Sequence, residues 1–298
     1  MNKKVRARHT YRIDVAPEGE HEEFLDAERF NHGKVVFDDQ GNLLEEVTFD
    51  DFGNETGRQT YTYDENGKLA GKETMNEFGD VEEKLSYERD EDGRILKKLI
   101  HYMDGAVDTV HYAYNDAGNL IRKTLVDDEG ETESEEIFTY DGENLVKEEK
   151  HEERELVRKN TFTYDKYGNV TVAEVFNEDE ASRLENEFDE NGRRIRYFKY
   201  DENDRLIKKH AFTYDEDGNA VEIVEEDPYR KSTVKIGYDE NKNAVSQQEM
   251  NRAGELVNEV HRSYDENGNI REVRAVIMGP DGKPQRKYML VYEYAFWD

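Results

Sequence analysis

The chain has no cysteine among its 298 residues, which excludes disulfides, thiolate catalysis and Cys-ligated zinc. It has no apolar run long enough to cross a bilayer as a helix. Its opening residues, MNKKVRARHTYRIDV, never reach the apolar core of a secretory leader. On that ground the sequence reads as cytoplasmic and without membrane contact. Proline is scarce, and Pro17, Pro228, Pro280 and Pro284 all fall outside the centres of the alternating segments described below, as strands require. Positive charge is in short supply: 42 Lys and Arg stand against 72 Asp and Glu, a formal net charge of −30. Such a polyanion repels nucleic-acid backbones, so nucleic acid is excluded as a partner and a basic protein is favoured.

Apolar residues are few as well, 35% against 38% charged, a balance that leans towards disorder in a chain without repeats. The aromatic residues argue for order through their number, 19 Tyr and 13 Phe, and through their spacing. A unit of about 25 residues recurs, marked by turn glycines Gly41, Gly67, Gly93, Gly118, Gly168, Gly192, Gly218 and Gly268, with Asn144 and Lys242 in the two gaps. A second series, Gly53, Gly79, Gly105, Gly130 and Gly254, falls about halfway between. The best copies are Thr161-Phe162-Thr163-Tyr164-Asp165-Lys166-Tyr167-Gly168-Asn169 and Ala211-Phe212-Thr213-Tyr214-Asp215-Glu216-Asp217-Gly218-Asn219. Aromatic residues at alternate positions share one face of a strand and the intervening threonines the other. The Asp accepts bonds from turn amides and the Gly takes a positive φ.

Two turns per period leave strand-length segments, so the spacing predicts an all-β fold: an elongated, twisted or spiralled antiparallel meander of about 20 strands. Residues 1–34 read as an N-terminal cap, with a strand at Thr10–Val15 and a short helix after Pro17 that places Phe24, Ala27 and Phe30 on one side. Residues 35–286 form the array. Residues 287–298, which hold the single Trp, form a C-terminal capping strand.

The unit Tyr264-Asp265-Glu266-Asn267-Gly268-Asn269-Ile270, echoed at Tyr238-Asp239-Glu240-Asn241, resembles the YD repeat of Rhs and teneurin-like proteins over about residues 35–295. The resemblance implies a long sheet that spirals into a hollow shell, which in polymorphic toxins encloses a C-terminal toxin domain. This sequence lacks the family's core region, cleavage motif and toxin domain, so the likeness is to a stand-alone array. Short MORN-like repeat proteins of the antitoxin class are a more distant likeness.

Motifs for chemistry are weak. The Asp-x-Asn/Asp-Gly turns lack EF-hand spacing, because Gly follows the second acidic residue directly. His21-Glu22-Glu23 and His151-Glu152-Glu153 lack the second histidine of a zinc-protease motif. No cofactor, metal site or catalytic residue is expected, and the chain reads as a non-enzyme. The candidate partner-binding surface is an aromatic row, Phe138, Tyr140, Phe162, Tyr164, Phe212 and Tyr214, for which cross-strand packing of the sheet is the plainer reading. A local inversion of charge, Arg193-Arg194-Ile195-Arg196-Tyr197-Phe198-Lys199, suits pairing with acidic neighbours. The functional expectation is a non-catalytic, acidic interaction scaffold, in one version an immunity protein or antitoxin that binds a basic protein. The alternatives are a surface or secreted glycan-binding module and a hydrolase acting on polysaccharide through two turn carboxylates. Oligomeric state is left open.

Overall fold

A computed structural model of the chain describes residues 3–15 and 28–298. The strands are β1 (Val5–Val15), β2 (Phe30–Phe37), β3 (Leu43–Phe49), β4 (Glu55–Tyr63), β5 (Leu69–Asn76), β6 (Val81–Arg89), β7 (Ile95–His101) and β8 (Val107–Tyr114). Next come β9 (Leu120–Val126), β10 (Thr132–Asp141), β11 (Asn144–Glu152), β12 (Glu155–Tyr164), β13 (Val170–Asn177), β14 (Ala181–Phe188) and β15 (Arg194–Asp201). The last are β16 (Leu206–Tyr214), β17 (Ala220–Glu226), β18 (Lys231–Tyr238), β19 (Ala244–Met250), β20 (Leu256–Tyr264), β21 (Ile270–Met278) and β22 (Pro284–Phe296). Each strand is antiparallel to the next, and β1 also pairs with β22 from Val5↔Phe296 to Val15↔Lys287. The 22-stranded sheet therefore closes on itself as a barrel.

The turn at Asp165 shows why the motif has its composition. Asp165 Oδ1 accepts the amides of Tyr167 (2.8 Å) and Asn169 (3.0 Å), while Oδ2 accepts the Asn169 side-chain amide at 2.9 Å. Gly168 sits at φ 84° and donates its amide to the Asp165 carbonyl at 3.1 Å. Asp, Gly and Asn thus each satisfy one need of a tight hairpin. These turns gather at one rim of the barrel, and the intermediate turns at the other.

Tyrosine joins one hairpin to the one before. The hydroxyls of Tyr63, Tyr114, Tyr140, Tyr164, Tyr214 and Tyr264 donate to the carbonyls of Leu43, Ile95, Leu120, Leu145, Arg194 and Ala244, each at the start of a preceding strand. In these repeats one aromatic ring packs along the wall while its polar end ties two turns of the same rim together, and Arg89 makes the corresponding bond to the Leu69 carbonyl at 2.8 Å.

Closure corrects the expected architecture. The sheet is a ring without free edges, which avoids the exposed edge strands of an open meander. Val5–Val15 and Pro284–Phe296 are the two staves of the seam. Ile13 and Met289 face each other there, 1% and 4% exposed, and Ile13 is the one large side chain among the described residues that is fully buried. The helix expected after Pro17, with Phe24 and Ala27, lies outside the described residues. Phe30, its last member, begins β2, and the described residues contain no helix.

Candidate functional site, an aqueous lumen between acidic rims

Extensive strand packing is confined to neighbours around the ring. A round barrel of 22 strands is roughly 45 Å across, backbone to backbone, for a tilt of about 40°. The exposed area agrees with a hollow wall. A compact chain of 35.0 kDa exposes roughly 13,000 Å², whereas this one exposes 19139 Å². Water reaches both faces.

Both faces are charged. On the face that carries the aromatic row, register aligns Tyr112, Lys123, Glu136, Lys150 and Arg158 across β8 to β12. The opposite face aligns Lys97, His111, Thr124, Glu135 and His151 across β7 to β11. Neither row is an apolar band of the kind that faces lipid, where a Lys or Arg at mid-depth costs about 2–4 kcal/mol.

The six aromatic residues share one face but do not form a continuous platform. They lie on β10, β12 and β16, and the row from Phe138 runs through Glu148 of β11 to Asn160 of β12 rather than to Phe162. Tyr140, Tyr164 and Tyr214 direct their hydroxyls to the backbone, as above. Phe138 lies under Lys123 at 5.2 Å, and Phe212 under Arg194 at 5.0 Å. Of the six, Phe212 alone has a ring neighbour among the described residues, His210 at 6.1 Å. Burial holds the His210 imidazole below its ordinary pKa.

The basic run is largely neutralised in place: Arg193 meets Asp189 at 2.7 Å, Arg196 meets Glu187 at 3.0 Å and Lys199 meets Glu180 at 2.6 Å. Arg194 instead lies over the rings of Tyr197 and Phe212. His101 bonds Ser86 at 2.9 Å and stands opposite Val107. Among the described residues no three His, Asp or Glu side chains gather as metal ligands.

The turn carboxylates are poor acid catalysts. Asp50, Asp165, Asp215, Asp239 and Asp265 lie below the ordinary carboxylate pKa, first because of the hydrogen bond from the turn's Asn side chain, with turn amides adding to it. A glycosidase needs one carboxyl held protonated, and these five aspartates are shifted the other way.

Sequence reading missed a cleft near the second rim, between β12, β13 and β14. It does have a sequence signal: the second glycine series is interrupted between Gly130 and Gly254, and the cleft lies within that stretch.

No protein-family profile and no curated protein matches this chain. Among solved structures, a porin-like protein from Bacteroides uniformis is similar with a TM-score of 0.32 and 9% identity over 99% of each chain. The barrel architecture rests on this chain's own strand pairing.

The closed ring corrects the remaining expectations. An acidic cytoplasmic scaffold, its immunity-protein or antitoxin form and the glycan-binding alternative all presuppose an elongated sheet with broad accessible faces, and one face of the ring is turned inwards. The exclusion of membranes and the cytoplasmic placement rest on the lack of an apolar span and a leader. Among the described residues no helix is long and apolar enough to cross a membrane, but β-barrels cross with strands, so neither expectation stands.

Proposed function

We propose that the chain is a YD-repeat barrel that acts as a hollow, non-catalytic vessel, with a water-filled lumen that admits hydrophilic solutes and favours cations over anions. The observation that carries this reading is the exposed area of 19139 Å² on a closed wall. The repeat motif supports the family, and the near-equivalence of the units supports a non-catalytic role, since catalysis needs one asymmetric constellation. A net charge of −30 on a ring-shaped wall raises the local concentration of cations.

Single cysteines test it in a chain that has none of its own. Thr74 lies on the aromatic face, through its pairing with Gln59 two residues from Tyr61, and Thr124 lies on the opposite face beside His111. With Thr74→Cys and Thr124→Cys, one site reacts with small thiol reagents but resists a maleimide on a polymer wider than the bore, while the other accepts both. At the shielded site a cationic thiosulfonate reacts faster than an anionic one, and salt narrows the gap. Equal shielding at both sites contradicts the hollow vessel. Equal rates for the two charges contradict cation preference.

A further inference from the structure

Within the interrupted stretch of the second glycine series the wall holds a cleft of about 630 Å³ near the second rim. Two rows of side chains build it. In one, Thr161 of β12, Glu174 of β13 and Arg183 of β14 stand side by side; in the other, Lys159, Phe176 and Ala181 do so. Ala181 is too small to cover the ring of Phe176, which stays 43% exposed, with Leu156 nearby at 39%.

The turn after β15 closes one side. There Asp204 holds φ 58°, at a place where the regular turns use Gly, and an aspartate in this region is uncommon. Its carboxylate meets Arg183 at 3.0 Å, and the Arg183 guanidinium lies 4.3 Å from the Tyr200 ring. Arg183 is thereby fixed and neutralised, and Asp204 with it. Three charged groups in the cleft keep capacity to spare. Among the described residues Lys159 and Glu202 form no salt bridge, the Glu149 that stands opposite Lys159 being paired with Lys147 at 2.8 Å, and Glu174 accepts one hydroxyl bond, from Thr161 at 3.2 Å.

A spare cation, two spare carboxylates and an uncovered apolar patch match a ligand with both signs of charge and a hydrocarbon side chain. We propose that this cleft binds a short zwitterionic peptide with an apolar side chain. Phe176 and Leu156 take the side chain, Lys159 the terminal carboxylate, and Glu174 with Glu202 the terminal ammonium. A volume in the range of small-ligand sites leaves room for a few residues. The assignment does not depend on the lumen being a vessel, because all of these groups lie in one local part of the wall.

The probe is trileucine, titrated calorimetrically into the full chain. Acetylated and amidated trileucine keeps the side chains without the terminal charges, and triglycine keeps the charges without the side chains. Trileucine should saturate at one site and bind at least about tenfold more tightly than either control, a difference of roughly 1.4 kcal/mol. Lys159→Ala, Phe176→Ala and Glu202→Gln should each weaken trileucine binding several-fold. Glu202 lies on an exposed turn and Phe176 is 43% exposed, so unchanged far-UV circular dichroism is expected to accompany each loss. Absence of saturable binding overturns the proposal. So does binding that the three substitutions leave unchanged, or that the capped peptide equals.

Discussion

The indole Nε1 of Trp297 donates a hydrogen bond to the backbone carbonyl of Asp38 at 3.0 Å, across a separation of 259 residues. Asp38 opens the first hairpin turn after β2, and Trp297 follows β22. The Trp297 amide also donates to the Lys4 carbonyl at 2.9 Å, so the last residues hold the first strand and the first turn together. A repeat array with two unlike ends is thereby converted into a ring.

The seam holds the most deeply buried contact, so it is where a cavity is felt most. Ile13→Ala, at a side chain 1% exposed, should destabilise the fold by about 2–5 kcal/mol. Ile236→Ala, at a half-buried position on β18, should cost only about 1–2 kcal/mol. Denaturant titration of both variants gives the comparison, and equal losses would contradict a seam-centred core.

Tyr264→Phe removes the bond to the Ala244 carbonyl, 3.0 Å in the parent, and keeps the ring. The expected loss is about 0.5–1.5 kcal/mol. Tyr164→Phe removes the equivalent bond to Leu145, and because the two sites lie in distant repeats the double variant should lose the sum. Thermal melts of the two singles and the double measure this.

Much of this construction is legible in the sequence. Tyr164, Asp165, Gly168 and Asn169 announce a strand end, a turn and a direction for the ring, because each role depends on neighbours a few residues away. Closure is a different kind of property. Twist and coiling accumulate over many strands, and the pairing of Ile13 with Met289 has no local signature; the period dictates which strands are adjacent but not whether the last meets the first. The cleft is legible only as an irregularity, the missing glycines between Gly130 and Gly254. Alternation suffices to put the aromatic row on one face, while Glu148 and Asn160, which interrupt it, belong to other parts of the repeat.

Lowering the pH should act through the turns. The folded-state pKa values of Asp50, Asp165, Asp215, Asp239 and Asp265 are depressed, so their contribution is present above the unfolded value of about 3.9 and is lost as pH falls through the folded values. Melting temperature should therefore hold down to about pH 5 and fall below about pH 4. Asp165→Asn and Asp215→Asn together should flatten the acid limb. A decline that begins near neutral pH would point instead to histidine.

Lys242 occupies a turn position at φ 65° where most repeats have Gly, and its ammonium reaches Asp217 at 3.0 Å. The conformation costs about 1–2 kcal/mol, and the bridge, with both side chains well exposed, returns at most about 1 kcal/mol. Lys242→Gly should range from neutral to stabilising by about 1 kcal/mol at low salt and should stabilise by about 1–2 kcal/mol at high salt, once the bridge is screened. Urea titration at two ionic strengths provides the check.

Closure itself is tested most directly by a covalent bond across the seam. His9 of β1 stands opposite Glu293 of β22, at a separation suited to a disulfide between facing strands. In the cysteine-free chain, His9→Cys with Glu293→Cys should oxidise quantitatively within one molecule, giving a monomeric, circularly linked product of altered mobility on a non-reducing gel, while either single variant gives none. Failure to form the link, or formation only between molecules, would contradict the closed barrel.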